Sequence, residues 1–318
     1  MKHKQIYFRL VMLLLLVLLS IGLFMTYQTY GNWQFALTLR GKKLLAFVIV
    51  GLLTSFSTIS FQTITQSHFL TPSILGFDSL YVLVQTTLFF YFGQTPTHPM
   101  IMFGLNVGLM VIFSVILFGF LLRKESQDLF LLLMIGMVLG TFFRSVSTFL
   151  QVLMDPNEYD KLQGKLFASF SNVDVSLLYM VIPIVIGIIL LFWIVSPTLD
   201  VFHLGTCQAI NLGINVQRFR WFILFLISLS VALSTALIGP ITFLGFIVAN
   251  ITYQILPVYK HRYLFVFSAL LSILMLVLGQ FLVEHIFHMN TTLSVVIEFS
   301  GGVYFIWKLL SERGKTLQ

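Results

Sequence analysis

Arg144, set in the run Thr141-Phe-Phe-Arg-Ser-Val-Ser-Thr148, is the residue whose type and setting most invite chemistry. It lies roughly nine residues, or about 13 Å at the helical rise, from the end of its apolar segment. A charge that deep in lipid costs on the order of several kcal/mol unless it faces a cavity or a partner. Either it lines a path for an anionic ligand, or it donates hydrogen bonds to carbonyls of neighbouring helices. Ser145, Ser147 and Thr148 add polar groups beside it. Gln62, Gln66, Asp78 and Gln85 form a second polar group, around two adjacent segments. Asp78 suits a helix N-terminus, where a carboxylate meets the positive end of the dipole. Gln62 either touches a ligand or sits in a helix contact. Glu284, His285 and His288 are spaced to share one helix face, a pattern that suggests a metal site, although histidine is also ordinary in loops. No Gly-x-x-x-x-Gly-Lys-Ser/Thr, His-Glu-x-x-His, Cys-x-x-Cys or Gly-x-Ser-x-Gly run occurs. ATP binding in the usual manner and the familiar catalytic centres are therefore not expected of this chain.

The elements that position these residues are long and apolar. Of the 318 residues 58% are hydrophobic, 9% charged and 15% aromatic, with 34 Phe. That composition excludes an ordinary soluble domain and places the whole chain in lipid as an all-α polytopic protein. The formal charge of +7 carries no run of cations longer than Lys42-Lys43, so nucleic acid is not an expected partner. Segments of bilayer-crossing length can be counted at Ile6–Tyr27, Leu44–Ile64, Ser79–Phe92, Met100–Leu122, Leu129–Leu153, Val175–Val195, Phe219–Ile238, Ile241–Leu256, Tyr263–Phe287 and Leu293–Leu310. The third and eighth are short, and the eighth carries Asn250, so both should pack inside the bundle. The first, preceded by Lys2, Lys4 and Arg9, reads as a retained span rather than a cleaved signal.

An even number of spans puts both termini on the cytoplasmic side, together with Arg123, Lys124, Arg218, Arg220, Lys260, Arg262 and Lys308. Arg40, Lys42, Lys43, Lys161 and Lys165 then fall outside, the minority of the 18 Lys and Arg. Trp193, Trp221 and Trp307 fall near predicted cytoplasmic span ends. The single cysteine, Cys207, faces the same reducing side. Between the sixth and seventh segments lies Ser196-Pro-Thr-Leu-Asp-Val-Phe-His-Leu-Gly-Thr-Cys-Gln-Ala-Ile-Asn-Leu-Gly213, which reads as two short helices in series. Pro197 suits the first position of one, and Gly205 and Gly213 supply left-handed ends. Leu199, Phe202, Leu204, Ile210 and Leu212 give the pair an apolar edge.

Several stretches together resemble the FecCD-type permeases of bacterial ATP-driven importers for ferric siderophores, haem and cobalamin. They are Leu39-Arg-Gly-Lys-Lys-Leu-Leu-Ala46, Phe61-Gln62 with Thr71-Pro-Ser-Ile-Leu-Gly76, the Leu204-Gly205…Ala209…Leu212-Gly213 segment, Gly239-Pro-Ile-Thr-Phe-Leu-Gly-Phe-Ile-Val248, and Gly301-Gly-Val-Tyr-Phe305. The order and spacing hold from about residue 40 onward. Lys42 replaces a usual proline, the asparagine before Thr71 is missing, and Glu284 stands where the family tends to carry a basic residue. Thr71–Gly76 and Met154-Asp-Pro-Asn-Glu-Tyr159 look most like the catecholate or petrobactin-like branch.

The resemblance implies one permease domain over residues 1–318, of about ten membrane helices. It implies a second, homologous or identical permease, two cytoplasmic ATP-binding subunits and an extracellular substrate-binding lipoprotein. The segment at about 197–215, through Leu199, Leu204, Gly205, Ala209, Leu212 and Gly213, would couple to the ATPase. Arg40 and Lys43 would receive acidic side chains of the binding protein, and Arg144 and Gln62 would lie on the path of the chelate. No cofactor or metal ligand is implied, because a chelated iron needs no ligand from the protein. Alternatives are a haem or cobalamin permease of the same fold, an ion-coupled secondary transporter, and a membrane enzyme or sensor. The secondary transporter would show intramembrane carboxylates or inverted repeats; the enzyme or sensor needs a catalytic or receiver element that the sequence does not offer.

Overall fold

The computed structural model describes residues 2–27, 33–92, 99–121, 129–166, 170, 173–288 and 291–316. Among them every regular element is helical. In chain order they are α1 (Lys2–Thr26), α2 (Trp33–Thr65), a 3-10 turn (Pro72–Leu75), α3 (Phe77–Phe92), α4 (Pro99–Leu121), α5 (Leu129–Leu153), α6 (Pro156–Leu166), α7 (Val175–Phe202), α8 (Thr206–Asn211), α9 (Val216–Ile238), α10 (Leu244–Ile255), α11 (His261–His285) and α12 (Leu293–Thr316). The ten expected apolar segments each coincide with one helix, in order. Arg123 and Lys124 lie outside the described residues.

Within this set, Lys4–Thr26, Leu37–Thr65, Leu133–Leu153, Val175–Phe202, Val216–Ile238 and His261–His285 are long and apolar enough to cross a bilayer. Residues of α2, α9 and α11 are mostly buried, whereas α1, α5 and α7 bury one side and turn the other outward. Lipid gives helices no hydrophobic reason to associate, so close packing and small residues have to hold them. The buried faces accordingly carry Ser55, Ser57, Thr58 and Ser60 on α2, Ser228, Ser230 and Ser234 on α9, and Ser268 and Ser272 on α11. Several of these hydroxyls donate to carbonyls of their own helix, as Ser228 does to Leu224 and Ser230 to Leu226, both at 2.8 Å.

The two short helices are the ones that shape a site. Twelve residues of α10 reach about 18 Å and sixteen of α3 about 24 Å, less than the roughly 30 Å hydrocarbon layer. Each is preceded by backbone outside the α-helices, 66–76 with its 3-10 turn before α3 and 239–243 before α10, tolerated at such depth only where protein or a water-filled cavity surrounds it. Leu244 to Asn250 are buried, as expected of a short span held inside the bundle. The 3-10 turn lies on α5 so tightly that a Cβ at Gly136 would come within 2.9 Å of the Leu75 Cα. Gly76 ends that turn at φ +86, and its Cα faces the Gly140 position.

One expectation is corrected. Pro197 does not open a separate short helix; α7 runs unbroken to Phe202 with Pro197 in its interior. Proline cannot bond the carbonyl four residues back, at Trp193. The Ser196 hydroxyl donates to that carbonyl at 2.8 Å and repairs the loss locally. The polar helix α6, starting at Pro156 after Asp155, was not anticipated; Asp155 accepts from the Asn157 amide at 3.0 Å.

Gly136→Ala should lower the unfolding temperature of the detergent-solubilised protein, with a cost of roughly 1–3 kcal/mol from overpacking against backbone. Gly104→Ala, where a Cβ meets nothing within 4 Å, should leave it unchanged.

Candidate functional site

Where the non-helical stretches meet, a cavity of about 590 Å³ opens between the 69–74 stretch, α3, α5, the 240–243 bend, α10 and α12. Arg144 lines it from α5, Asp78 from the start of α3 and Glu298 from α12. Phe69, Phe243 and Phe305 supply an aromatic wall. Arg144 and Glu298 are exposed in the isolated chain, so both point into open space rather than into packing. Glu298 lies within electrostatic reach of Arg144, and the Thr242 hydroxyl donates to its Oε1 at 3.4 Å. Asp78 takes the expected place in the first turn of α3 and bonds Ser73, while its Oδ2 is buried without a partner. The hydroxyls beside Arg144 are already used: Ser145 donates to Thr141, Ser147 to Phe143 and Thr148 to the Arg144 carbonyl. The charged groups of the cavity are one guanidinium and two carboxylates, and the hydroxyl side chains of Thr71, Ser73, Ser79 and Thr242 complete its polar lining. Sequence reasoning singled out Arg144 for a ligand and Asp78 for a helix start. Glu298 was missed, although a carboxylate inside the apolar run Leu293–Leu310 was the signal for it.

Gln62 does not line this cavity. It is buried, its Nε2 donates to the His68 carbonyl at 2.8 Å, and it borders a second space of about 330 Å³. Gln66, His68, His203, Gly205 and Tyr253 also face that second space. The stretch 67–71 separates the two, with His68 turned to one and Phe69 to the other.

Beyond the second space stands the unit formed by the end of α7, α8 and the start of α9. Leu199 and Ala209 are fully buried and Phe202 nearly so. Phe202 stacks on Phe219 at 4.7 Å between ring centres, and Ala209 and Val216 complete a small core. Arg220 donates to the Thr206 hydroxyl at 3.1 Å, and Asn215 caps α9 through the Arg218 amide. Gly205 and Gly213 both hold positive φ, +117 and +79, although Gly205, at ψ 157, is extended and opens α8 rather than ending a helix in the left-handed conformation expected of it. Leu204 and Leu212 are 61% and 66% exposed, with Ile210 beside them. The six residues of the segment thus divide three ways. Two build its interior, two turn its chain, and two present apolar side chains outward on a small, internally braced support.

Arg40 and Lys43 sit together near the start of α2, far along the chain from that unit, and both have partners within the molecule. Arg40 donates to the carbonyls of Phe24, Met25 and Tyr27 at 2.9, 3.2 and 2.8 Å, closing the C-terminus of α1. Such a cation satisfies the last carbonyls and complements the helix dipole. Lys43 forms an ion pair with Glu284 at 2.6 Å, and Gln280 bonds the same carboxylate oxygen at 2.9 Å. His285 lies stacked on Phe281 and edge-on to Tyr27. Asp174 caps α7 at this end; the Ser176 amide and hydroxyl, and then Lys42, hold its carboxyl below the usual range.

The profile of the FecCD transport family matches residues 7–311. The petrobactin import system permease protein YclO of Bacillus subtilis is 45% identical over 300 residues, 93% of this chain and 95% of that protein. The petrobactin import system permease protein FatC of Bacillus anthracis is 38% identical over 85% of this chain and 77% of its own length. Among solved structures, an inward-facing metal-chelate type ABC transporter superposes with a TM-score of 0.82 at 20% identity, covering 98% of this chain and 99% of the other. That likeness shows a shared fold. By its helix order, its short internal helices and a family profile spanning nearly the whole chain, this protein belongs to the FecCD transport family.

Proposed function

We propose that this protein is a permease subunit of an ATP-driven importer that carries a ferric siderophore, petrobactin in the first instance, across the bacterial cytoplasmic membrane. The observation that carries the reading is the pairing of a charged, aromatic cavity among the helices with a braced apolar projection beyond it. The near full-length likeness to two petrobactin permeases supports the choice of cargo.

In this reading both termini and α8 face the cytoplasm, and α6 faces outside. A second permease, homologous or identical, closes the cavity on the side where Arg144 and Glu298 are uncovered. Leu204 and Leu212 seat in a groove of a cytoplasmic ATP-binding subunit, which supplies the hydrolysis that this chain does not perform. Because the projection has its own core, displacement of its tip moves the ends of α7 and α9 instead of being absorbed by a loop. Outside, an acidic side chain of a substrate-binding lipoprotein competes with Glu284 for Lys43, and Arg40 stands beside it. Opposite charges there set register and encounter rate more than affinity. Arg144 draws the anionic part of the chelate, the phenylalanines hold its flat or greasy surface, and Gln62 faces the space beyond the cavity floor.

Arg144→Leu should reduce uptake of radioiron-loaded petrobactin by about tenfold or more, the effect of losing one charge-assisted bond of about 1.5–3 kcal/mol. Membrane expression and assembly should be unchanged, and normal uptake would end the role given to Arg144. Gly213→Val puts a β-branched residue at φ +79, a strain of roughly 1–2 kcal/mol. ATP-dependent uptake should fall while insertion is retained, whereas Gly213→Asn, which tolerates that backbone, should keep most transport.

A further inference from the structure

At the root of the α7–α8 projection three side chains from three helices are joined end to end. His261, the first residue of α11, is fully buried, and the Asp200 carboxylate on the last turn of α7 is partly so. Asp200 Oδ1 accepts from both the His261 backbone amide and ring Nδ1, each at 2.6 Å. A carboxylate has no hydrogen to give, so Nδ1 carries one. The other ring nitrogen, Nε2, meets the Thr63 hydroxyl at 2.7 Å, in the last turn of α2. With the ring neutral, Nε2 accepts the one hydroxyl hydrogen of Thr63, for which the Ile59 carbonyl at 3.0 Å is the competing acceptor.

An acid, an imidazole and a hydroxyl in line resemble a nucleophile with its base. Here the hydroxyl is buried in a helix contact at the border of the 330 Å³ space and does not line the Arg144 cavity. The arrangement is therefore mechanical. Its position is what gives it a task. His203, Leu204 and Gly205 of the projection are separated from Gln62, Gln66, His68 and Tyr253 by the polar space of about 330 Å³. Side-chain packing between α7 and its neighbours α2 and α11 lies farther along α7, where Phe192 meets Phe56 and Phe265, and at the gap itself only His203 reaches His261, edge-on at 6.2 Å. The Asp200–His261–Thr63 chain spans it at the edge. A second, weaker tie runs beside it: Gln66, in left-handed backbone at φ +52, donates from Nε2 to the Phe202 carbonyl at 3.4 Å. Thr63 lies in the last turn of α2 and Gln66 just beyond its end, and the chain continues from them to Phe69 and Thr71 at the cavity floor.

We infer that Asp200, His261 and Thr63 are positioning residues for transport, the link through which displacement of the α8 projection reaches α2, α11 and the floor of the cavity. This rests on the reading of the projection as the coupling element, and it adds the route by which coupling leaves it.

The test uses the whole complex, with its companion permease and ATP-binding subunits, in proteoliposomes. The readouts are petrobactin-borne radioiron moved per ATP hydrolysed, the rate of hydrolysis, and complex assembly. Asp200→Ala should lower iron moved per ATP by tenfold or more, with hydrolysis and assembly within twofold of the parent. Asp200→Asn, whose amide oxygen still accepts both bonds, should restore most of the yield. Thr63→Val removes one hydroxyl from the far end of the link and should also lower the yield without touching the projection. Asp200→Ala combined with Thr63→Val should be no worse than the poorer single variant, since both interrupt one route. Parent-like yield in both single variants overturns the inference, as does Asp200→Asn failing as badly as Asp200→Ala. So does a loss of assembly that accounts for the whole effect in Thr63→Val. If Gly213→Val and changes at Leu212 also leave hydrolysis and transport untouched, the coupling reading itself falls; if they matter and Asp200 and Thr63 do not, only the link does.

Discussion

Hydrocarbon offers no hydrogen bonds, and every backbone amide and carbonyl within the bilayer has to find its partner inside the protein. Most of this chain meets that demand by being helical from one interface to the other. Residues 66–76 and 239–243 do not, and their placement organises everything else. They are kept at depth by neighbours that come unusually near: α5 through Gly136 and Gly140, and α2 through Thr58, whose side chain occupies the space a Cβ on Gly245 would need. The walls of the cavity are those same two stretches, the helix ends they release, and the facing parts of α5 and α12. The cavity and the irregular backbone belong together here, because such backbone is tolerated at depth only where protein or a water-filled cavity surrounds it.

The same economy appears in the polar side chains. Ionisable groups within the bundle are expensive, and most of those among the described residues are paired or turned to open space, Asp78 keeping one buried oxygen without a partner. Lys43 is held by Glu284, Arg40 closes α1, and Lys308 bonds Asn250 across α12 and α10. Arg144 and Glu298 are the exception, facing a cavity from opposite helices. The exposed apolar residues Leu204 and Leu212 are the corresponding exception at the far end of the molecule, on a support that is otherwise internally packed.

Much of this was legible in the residues. Long apolar runs announced the spans because the bilayer sets their length, and Gly205 and Gly213 announced turns because few other residues adopt positive φ. Arg144 stood out because a buried cation is costly. Other features depend on contacts that no local pattern encodes. Pro197 reads as a helix start, and only the Ser196 hydroxyl on the Trp193 carbonyl shows that α7 passes through it. Gln62 and Arg144 were expected on one path, yet the fold of 66–76 puts a floor between them. The departure at Glu284 was visible as a residue type, but its bond to Lys43, 241 positions away, was not. Asp200, His261 and Thr63 are scattered along the sequence and carry no spacing signal at all. Asp155-Pro156 did hold a helix-start signal for α6 that could have been used.

Cys207 is the single cysteine of the chain and is exposed on α8, so the protein carries a natural label at the point where the account places its engine. The most direct measurement is the reaction of Cys207 with a membrane-impermeant maleimide in inside-out and right-side-out vesicles, with and without the ATP-binding subunit. The account predicts labelling only in inside-out vesicles, and protection there once that subunit is bound. Labelling from the opposite face, or labelling that the bound subunit leaves unchanged, would contradict it.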